Sequence, residues 1–393
     1  MEKIQYVQSI EKRLCGWDIF RVFGNTVCKG GDELEEYFCK TKILSGAGAI
    51  SALGQMKSKR VLIVSDPFFA KNGTAALVAA QSAGAETYIF SDVMPDPPVE
   101  QVALGTAKLK AFAPDTVVAL GGGSAIDSAK ALVYFAGLPV TFVAIPTTSG
   151  SGSEVTDVSI LTHGGVKHPL VDASLCPDVA ILDYVLLKEL PKSLVADGGF
   201  DVLAHAMEAY VATGASGVTD ALAKEAFSIG VQALPLSYGG NLSARQKMHS
   251  ASTMAGMAFS KAGLGLCHGM SHALGGLFHL PHGRINAILL PTILEINAHA
   301  ASQKYGELSR CAGFGGSADT VAVRNLKNGL IRLRKVLGIP ETLAHAGVTP
   351  QQVWQNTETI VAATLNDPCC KTNPIAVEGY MVRRVLEEVT GRV

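Results

Sequence analysis

The feature that most limits how this chain can fold is a change of character at Leu190-Pro191. Upstream, from Arg60 to Asp183, the apolar runs RVLIVSD, ETYIFSD, DTVVALGGGS and VTFVAIPTTSG alternate with helix-like amphipathic stretches. Short apolar runs suit strands buried on both faces, and their regular alternation with helical segments is the pattern of βαβ units in a mostly parallel sheet. Downstream, long Ala- and Leu-rich periodic segments follow with almost no β-branched runs, and these read as helices. At 393 residues the chain is long for one core and comfortable for two. The expectation is an N-terminal extension over 1–40, an α/β domain with a Rossmann-like parallel sheet over 41–191, and an all-α C-terminal domain over 192–393.

Only 17% of residues are charged, 48% are hydrophobic, and the formal net charge is -1. That balance describes a globular enzyme body and argues against a disordered chain or a nucleic-acid partner. The eight cysteines form no CxxC pair and are too sparse for a disulfide scaffold, so a reducing, cytoplasmic setting is expected. The first residues, MEKIQYVQSIEKRLCGWDIF, lack the uninterrupted apolar region of a secretory signal. The uncharged stretch from Ala131 to Ser153 is broken by Gly137-Leu138-Pro139 and Pro146, so it reads as a buried strand and not a membrane span. In the extension, Ile4, Val7, Ile10 and Leu14 recur at helical spacing, which fits a surface helix or a docking peptide.

Three groups of residues point to chemistry. Gly121-Gly122-Gly123-Ser124 follows an apolar strand and opens the segment AIDSAKAL. Backbone amides freed of side chains at a helix N-terminus make a cradle for phosphate, although the spacing is not G-x-G-x-x-G. Asp66 closes RVLIVSD at the carboxyl edge of the expected sheet, where a carboxylate can bond a ribose hydroxyl, repel a 2'-phosphate, or simply cap a helix. The run Pro146 to Ser153 follows a buried strand and offers hydroxyls and free amides, including those of Thr147 and Thr148, to the same ligand. In the second half, Asp201 and His205 stand four apart in DVLAHAMEAY and share a helix face, while LCHGMSHALGGLFHLPHG carries His268, His272, His279 and His282. Carboxylate and imidazole gathered in apolar text suit a divalent metal, but spacing alone leaves the ligand set open.

With these motifs in view, the sequence resembles the iron-containing, or group III, alcohol dehydrogenases from about Thr41 to the C-terminus. The segments GGGSAIDSAK, PTTSGSGSEVT, DVLAHAMEAY and GLGLCHGMSHALGGLFHLPHGRINA carry the likeness. PDPP, KHPLVDASLCPDVAILD and RQKMHSASTMAGMAFSKAGLGL are most similar to the propanol dehydrogenases of bacterial microcompartments. The resemblance implies the dehydroquinate synthase-like fold of that family, NAD(H), and one divalent metal, usually Fe(II) and sometimes Zn(II), on Asp201, His205, His268 and His282. It further implies that His272 lies beside the nicotinamide as a proton relay and that Phe259 lines the substrate pocket. Gly122, Gly123 and Ser124 would hold the pyrophosphate, Thr147 and Thr148 would touch the cofactor, Lys167 would reach its ribose, and Asp66 would face the adenosine ribose. His279 matches a position that is not a ligand.

The implied reaction interconverts a short-chain aldehyde, propanal or acetaldehyde, and its primary alcohol in a cleft between the two domains, in the reducing direction to regenerate NAD. A glycerol-dehydrogenase-like enzyme and a metallohydrolase are the competing readings. Arg284 and Ile285 depart from the small or apolar residues expected after PHG, and Arg284 could alter charge near the metal or reach solvent. A homo-oligomer is expected. The extension exceeds the family's short N-terminus, and residues 1 to about 18 are read as a signal for packaging with microcompartment shell proteins.

Overall fold

The structure, a computed structural model, describes residues 37–164 and 166–391. The expected helix in the N-terminal extension lies outside the described residues. The chain divides into two compact units: one holds the described residues up to Thr147 together with Ser153–Leu186, and the other holds Thr148–Gly152 and the chain from Leu187 onward.

Among its described residues the first unit has eight strands in chain order: β1 (Lys42–Ser45), β2 (Arg60–Ser65), β3 (Glu86–Phe90), β4 (Thr116–Gly121), β5 (Thr141–Pro146), β6 (Val158–His163), β7 (Val166–Val171) and β8 (Val179–Leu182). Six of them form one parallel sheet in the order β1-β8-β5-β4-β2-β3, and β6 pairs antiparallel with β7 apart from it. Helices α1 (Pro67–Lys71), α2 (Thr74–Ala80), α3 (Val99–Phe112) and α4 (Gly123–Ala136) supply the crossovers. Successive side chains on a strand point to opposite faces, and β2 shows it: Leu62 and Val64 enter one apolar core while Val61 and Ile63 enter another. Burial on both faces is why the runs of β2, β4 and β5 are continuous and not alternating, whereas β3, at the sheet's edge, is exposed at Glu86 and Thr87.

The register places Leu120 beside Ser65 and Gly121 beside Pro146, so β2, β4 and β5 end together at one edge. Helix α4 stops where Gly137 adopts φ 64, a left-handed conformation that glycine takes without strain. On its inner face Lys130 is fully buried, and its Nζ donates to Thr156 O at 2.8 Å, Thr156 Oγ1 at 2.9 Å and Val158 O at 2.7 Å. Those three bonds tie the start of β6 to the helix that opens at the glycine turn.

The second unit is helical: α5 (Lys192–Val211), α6 (Gly217–Tyr238), α7 (Leu242–Ala262), α8 (Leu266–Phe278), α9 (His282–Cys311), α10 (Asp319–Val336), α11 (Pro350–Gln355), α12 (Thr357–Asn366) and α13 (Gly379–Thr390). Sixteen of the seventeen positions of α5 from Val195 to Val211 are buried, all but Gly198, so this helix runs through the core and not along a surface. Small residues let its neighbours approach: a Cβ on Gly283 would stand 2.0 Å from Asp197 O. That contact brings the first turn of α9 onto α5. Among the described residues, no helix is long and apolar enough to cross a membrane.

Candidate active site

In the first unit, Gly121 has φ 153, and a Cβ there would lie 2.5 Å from Ala125 Cβ. Only glycine lets the chain turn from β4 into α4 so tightly. No side chain caps α4 at Gly122, so the first amides of the helix, including those of Gly123 and Ser124, are left for a ligand. The Thr147 amide donates to Gly121 O at 3.0 Å, and the Thr147 hydroxyl, 1% exposed, has no hydrogen-bond partner among the described residues. A buried orphaned hydroxyl beside an uncapped helix start fits a polar, anionic ligand such as a dinucleotide.

Asp66 does cap a helix: its Oδ1 accepts from Phe68 N at 2.9 Å and Phe69 N at 3.2 Å. Its Oδ2 faces the glycine turn, 3.6 Å from where a Gly121 Cβ would stand. One carboxylate oxygen is thus structural and the other stands at the cradle. Lys167 lies on β7, with Nζ paired to Asp96 Oδ1 at 2.7 Å. Thr148 is half-buried and falls in the short segment that belongs to the helical unit.

In the helical unit, α5, α8 and α9 bring four side chains together. Asp201 Oδ1 lies 3.9 Å from His205 Nε2, 3.7 Å from His268 Nε2 and 3.6 Å from His282 Nε2. Ligand atoms about 2.1 Å from one ion at a tetrahedral angle stand about 3.4 Å apart, so the cluster is close to the size of a single divalent site. The donor atoms of Asp201, His205 and His268 all lie within 4.8 Å of one another, and these three residues are buried.

Burial works to raise the Asp201 carboxyl, but His205, His282 and His268 hold it well below the usual carboxylate range. Burial pushes His205 down to about 4 and His282 well below its ordinary value, which leaves their ring nitrogens neutral and able to bind a cation. His268 goes the other way: burial opposes its charge, yet Asp201 and Glu208 raise it to about 9. A cation entering the cluster would displace that proton.

Around this cluster stand residues that sequence reading passed over. Glu208 accepts the Cys267 amide at 2.6 Å, and its Oε2 lies 2.6 Å from His268 Nδ1. It caps α8 and holds a proton on His268 Nδ1, so that the proton a cation would displace is the one on Nε2, which faces Asp201. Asn286 Nδ2 donates to Asp201 Oδ1 at 2.8 Å, and Asn286 is itself held by Ser271 Oγ at 2.5 Å. His272 Nδ1 meets Asp367 Oδ2 at 2.9 Å, and its ring stacks on His282 with centroids 5.2 Å apart. Glu208 had a signal, since it follows Asp201 and His205 on the same buried helix face; Asp367, in NDPCC, had none.

The remaining expectations sort simply. The Phe259 ring stacks on His205 at 4.4 Å. His279 is an exposed left-handed residue that ends α8. Arg284 neither stands free beside the cluster nor simply reaches solvent, because Nε and Nη2 hold both oxygens of Asp197 at 3.2 and 2.9 Å.

A parallel sheet with a glycine turn at its carboxyl edge, together with a helical unit that gathers one aspartate and three histidines, defines a metal-dependent dehydrogenase. The chain belongs to the iron-containing alcohol dehydrogenase family, whose "Iron-containing alcohol dehydrogenase" description matches residues 40–184 and whose "Fe-containing alcohol dehydrogenase family, C-terminal" description matches residues 195–390. It is 40% identical over 370 residues to the 1-propanol dehydrogenase PduQ of Citrobacter freundii, covering 91% of this chain and 100% of that protein. Among solved structures it is similar to the iron-containing alcohol dehydrogenase of Thermococcus thioreducens, with TM-score 0.85 and 33% identity over 90% of this chain and 99% of that one. It is also similar to the sulfoacetaldehyde reductase of Bifidobacterium kashiwanohense in complex with NAD+, with TM-score 0.83 and 27% identity over 91% of this chain and 99% of that one. The protein is an oxidoreductase that interconverts an alcohol and its aldehyde.

Proposed function

We propose that the protein reduces a short-chain aldehyde, propanal or acetaldehyde, to its primary alcohol with NADH, and so regenerates NAD. The observation that carries this reading is the convergence of His205, His268 and His282 on one oxygen of Asp201. Those four residues would hold one divalent ion, Fe(II) by family and Zn(II) as the rival. Bound there, such an ion supplies Lewis-acid polarisation of the substrate oxygen. The name of the Citrobacter relative supports propanal, and the NAD+ complex of the Bifidobacterium relative supports NAD(H).

The chain's own residues then have distinct tasks. The Gly122, Gly123 and Ser124 amides would bind the pyrophosphate and Thr147 and Thr148 would hydrogen-bond the cofactor, while Asp66 Oδ2 and Lys167 would engage its riboses. Phe259, stacked on His205, would form an apolar wall of the substrate pocket. His272, whose Nδ1 is committed to Asp367 and whose side chain is 26% exposed, would pass a proton at Nε2 between the product oxygen and solvent. The protein is further proposed to form a homo-oligomer, which a monomer mass in light scattering would contradict. Residues 1–18 are proposed to direct packaging into a cytoplasmic microcompartment, and unchanged co-localisation with shell proteins after their deletion would remove that idea.

The test is NADH oxidation with propanal on anaerobically purified protein as isolated, after chelation, and after adding back Fe(II) or Zn(II). Turnover lost on chelation and restored by one ion is the expected result and identifies the metal. NADH binding without turnover on any short aldehyde would overturn the substrate assignment, and turnover that survives chelation would overturn the metal's role.

A further inference from the structure

Apart from the metal cluster, the helical unit holds a charge that the mechanism does not use. Arg245, in the first turn of α7, is 5% exposed. Its Nη2 makes one long contact, 3.4 Å to Leu190 O, and its Nε and Nη1 have no hydrogen-bond partner among the described residues. No carboxylate pairs with it among those residues; the other buried arginine, Arg334, has Glu341 at 3.7 Å. A buried guanidinium with most of its donors unsatisfied is costly unless something fills the gap.

The surroundings make the imbalance larger. Arg245 lines a small, partly open pocket of about 10 Å3, room for roughly one water-sized sphere, together with Leu190, Val195, Met248, Ser149 and Ser237. Leu190 precedes α5 and Val195 lies in its first turn, and α5 begins at Pro191 with no side-chain cap. The positive ends of two helices, α5 and α7, therefore adjoin the guanidinium. Lys192 adds another cation, its Nζ 5.3 Å from the ring of Tyr238, the residue after Ser237.

We propose that this pocket is a binding site for a small monovalent anion of halide size, chloride in ordinary solution, with Arg245 Nε and Nη1 as its principal donors. The wall chemistry sets the ligand class. A phosphate brings two charges and several acceptor oxygens, whereas most of this wall is apolar and offers few donors beyond Arg245 and Ser237, the Ser149 hydroxyl already meeting His249 Nδ1 at 3.0 Å. A halide is weakly hydrated, satisfied by few donors, and neutralises the single charge. Ser149 belongs to the run 146–153 that offers groups to the cofactor, but Arg245, the principal donor, belongs to neither the metal cluster nor the cofactor segments, so the site does not depend on the dehydrogenase reading. Its expected effect is on stability, by fixing the start of α5.

The experiment uses the full-length, metal-loaded protein at constant ionic strength, with sodium chloride or bromide replacing sodium gluconate. A saturable rise in Tm, on the order of 5 °C at a hundredfold excess over Kd, is expected with either halide. Arg245→Gln should melt at the same temperature in chloride and gluconate. Should that variant fail to fold, crystals of the unaltered protein grown in bromide decide, with an anomalous scatterer beside Arg245 as the supporting result. Equal Tm in chloride and gluconate, an unchanged halide effect in Arg245→Gln, a response to phosphate in place of halide, or a pocket without bromide would each overturn the proposal.

Discussion

At the carboxyl edge of the sheet, the groups offered to a ligand are backbone amides, one orphaned hydroxyl and one oxygen of Asp66. In the helical unit they are ionisable side chains, and behind two of these stands a carboxylate: the buried Glu208 behind His268 and the half-buried Asp367 behind His272. The contrast teaches where each site is fragile. A cradle made of main chain needs glycine where the backbone requires it, as at Gly121, but tolerates change around it. A cluster made of side chains depends on residues that never touch the ligand, because they set which ring nitrogen carries the proton.

The change that breaks the comparison most severely is His268→Ala, which removes a donor and leaves Glu208 buried without its imidazole. Metal content should fall to background and kcat by more than about a thousandfold, while NADH binding persists; elemental analysis and NADH fluorescence titration check the two halves. If NADH binding were lost as well, the two sites would not be separable by side chain and backbone. Glu208→Gln asks for less. The amide still accepts the Cys267 N–H but no longer opposes the imidazole with a charge, and metal affinity should drop by about 10- to 100-fold. Competition with a chelator measures it.

Asp367→Asn sharpens the same point on the neighbouring histidine. Burial would raise the Asp367 carboxyl, yet the bond to His272 keeps it below the usual carboxylate range, so it is an anion holding the Nδ1 edge of that ring. Its amide replacement should leave metal content unchanged, lower kcat about tenfold, and shift the pH profile of kcat, with KM for the aldehyde little altered. An unchanged pH profile would reduce Asp367 to a structural cap of the following turn, where its Oδ1 accepts the Cys369 amide at 2.9 Å.

What could be read from sequence follows the same division. Strands β2, β4 and β5 stand out because a strand buried on both faces must be written as an unbroken apolar run, and β3, at the sheet's edge, shows itself by the apolar TYIF alone. β1 has four residues, mostly exposed, and no such run, so periodicity does not reveal it. The residues that the structure gathers around Asp201 were legible, since Asp201, His205, His268 and His282 are unusual in apolar text. Their supports were only partly so. Glu208 lies on the same helix face as His205, whereas Asp367 reaches His272 across 95 positions and Asn286 reaches Asp201 across 85, and no local pattern encodes such contacts. Arg284 illustrates the converse: a residue that looked free to change the site's charge is neutralised by Asp197, one helical turn before Asp201.

The smallest effect tests the backbone-built site without disturbing its backbone. Asp66 performs two tasks with its two oxygens, so Asp66→Ala would confound them by removing the cap of α1, worth about 1 kcal/mol, along with the charge beside the cradle. Serine retains a hydroxyl that can accept the Phe68 and Phe69 amides, and it removes only the negative charge. In Asp66→Ser, Tm should therefore change by no more than a few degrees, and metal content should not change. The ratio of kcat/KM for NADH to that for NADPH should fall about tenfold, because repulsion of a 2'-phosphate by one carboxylate in a partly solvated setting amounts to about 1.4 kcal/mol. If the ratio stays fixed while Asp66→Ala loses stability, the carboxylate is a helix cap alone, and cofactor choice must be made by groups other than the oxygen that faces Gly121.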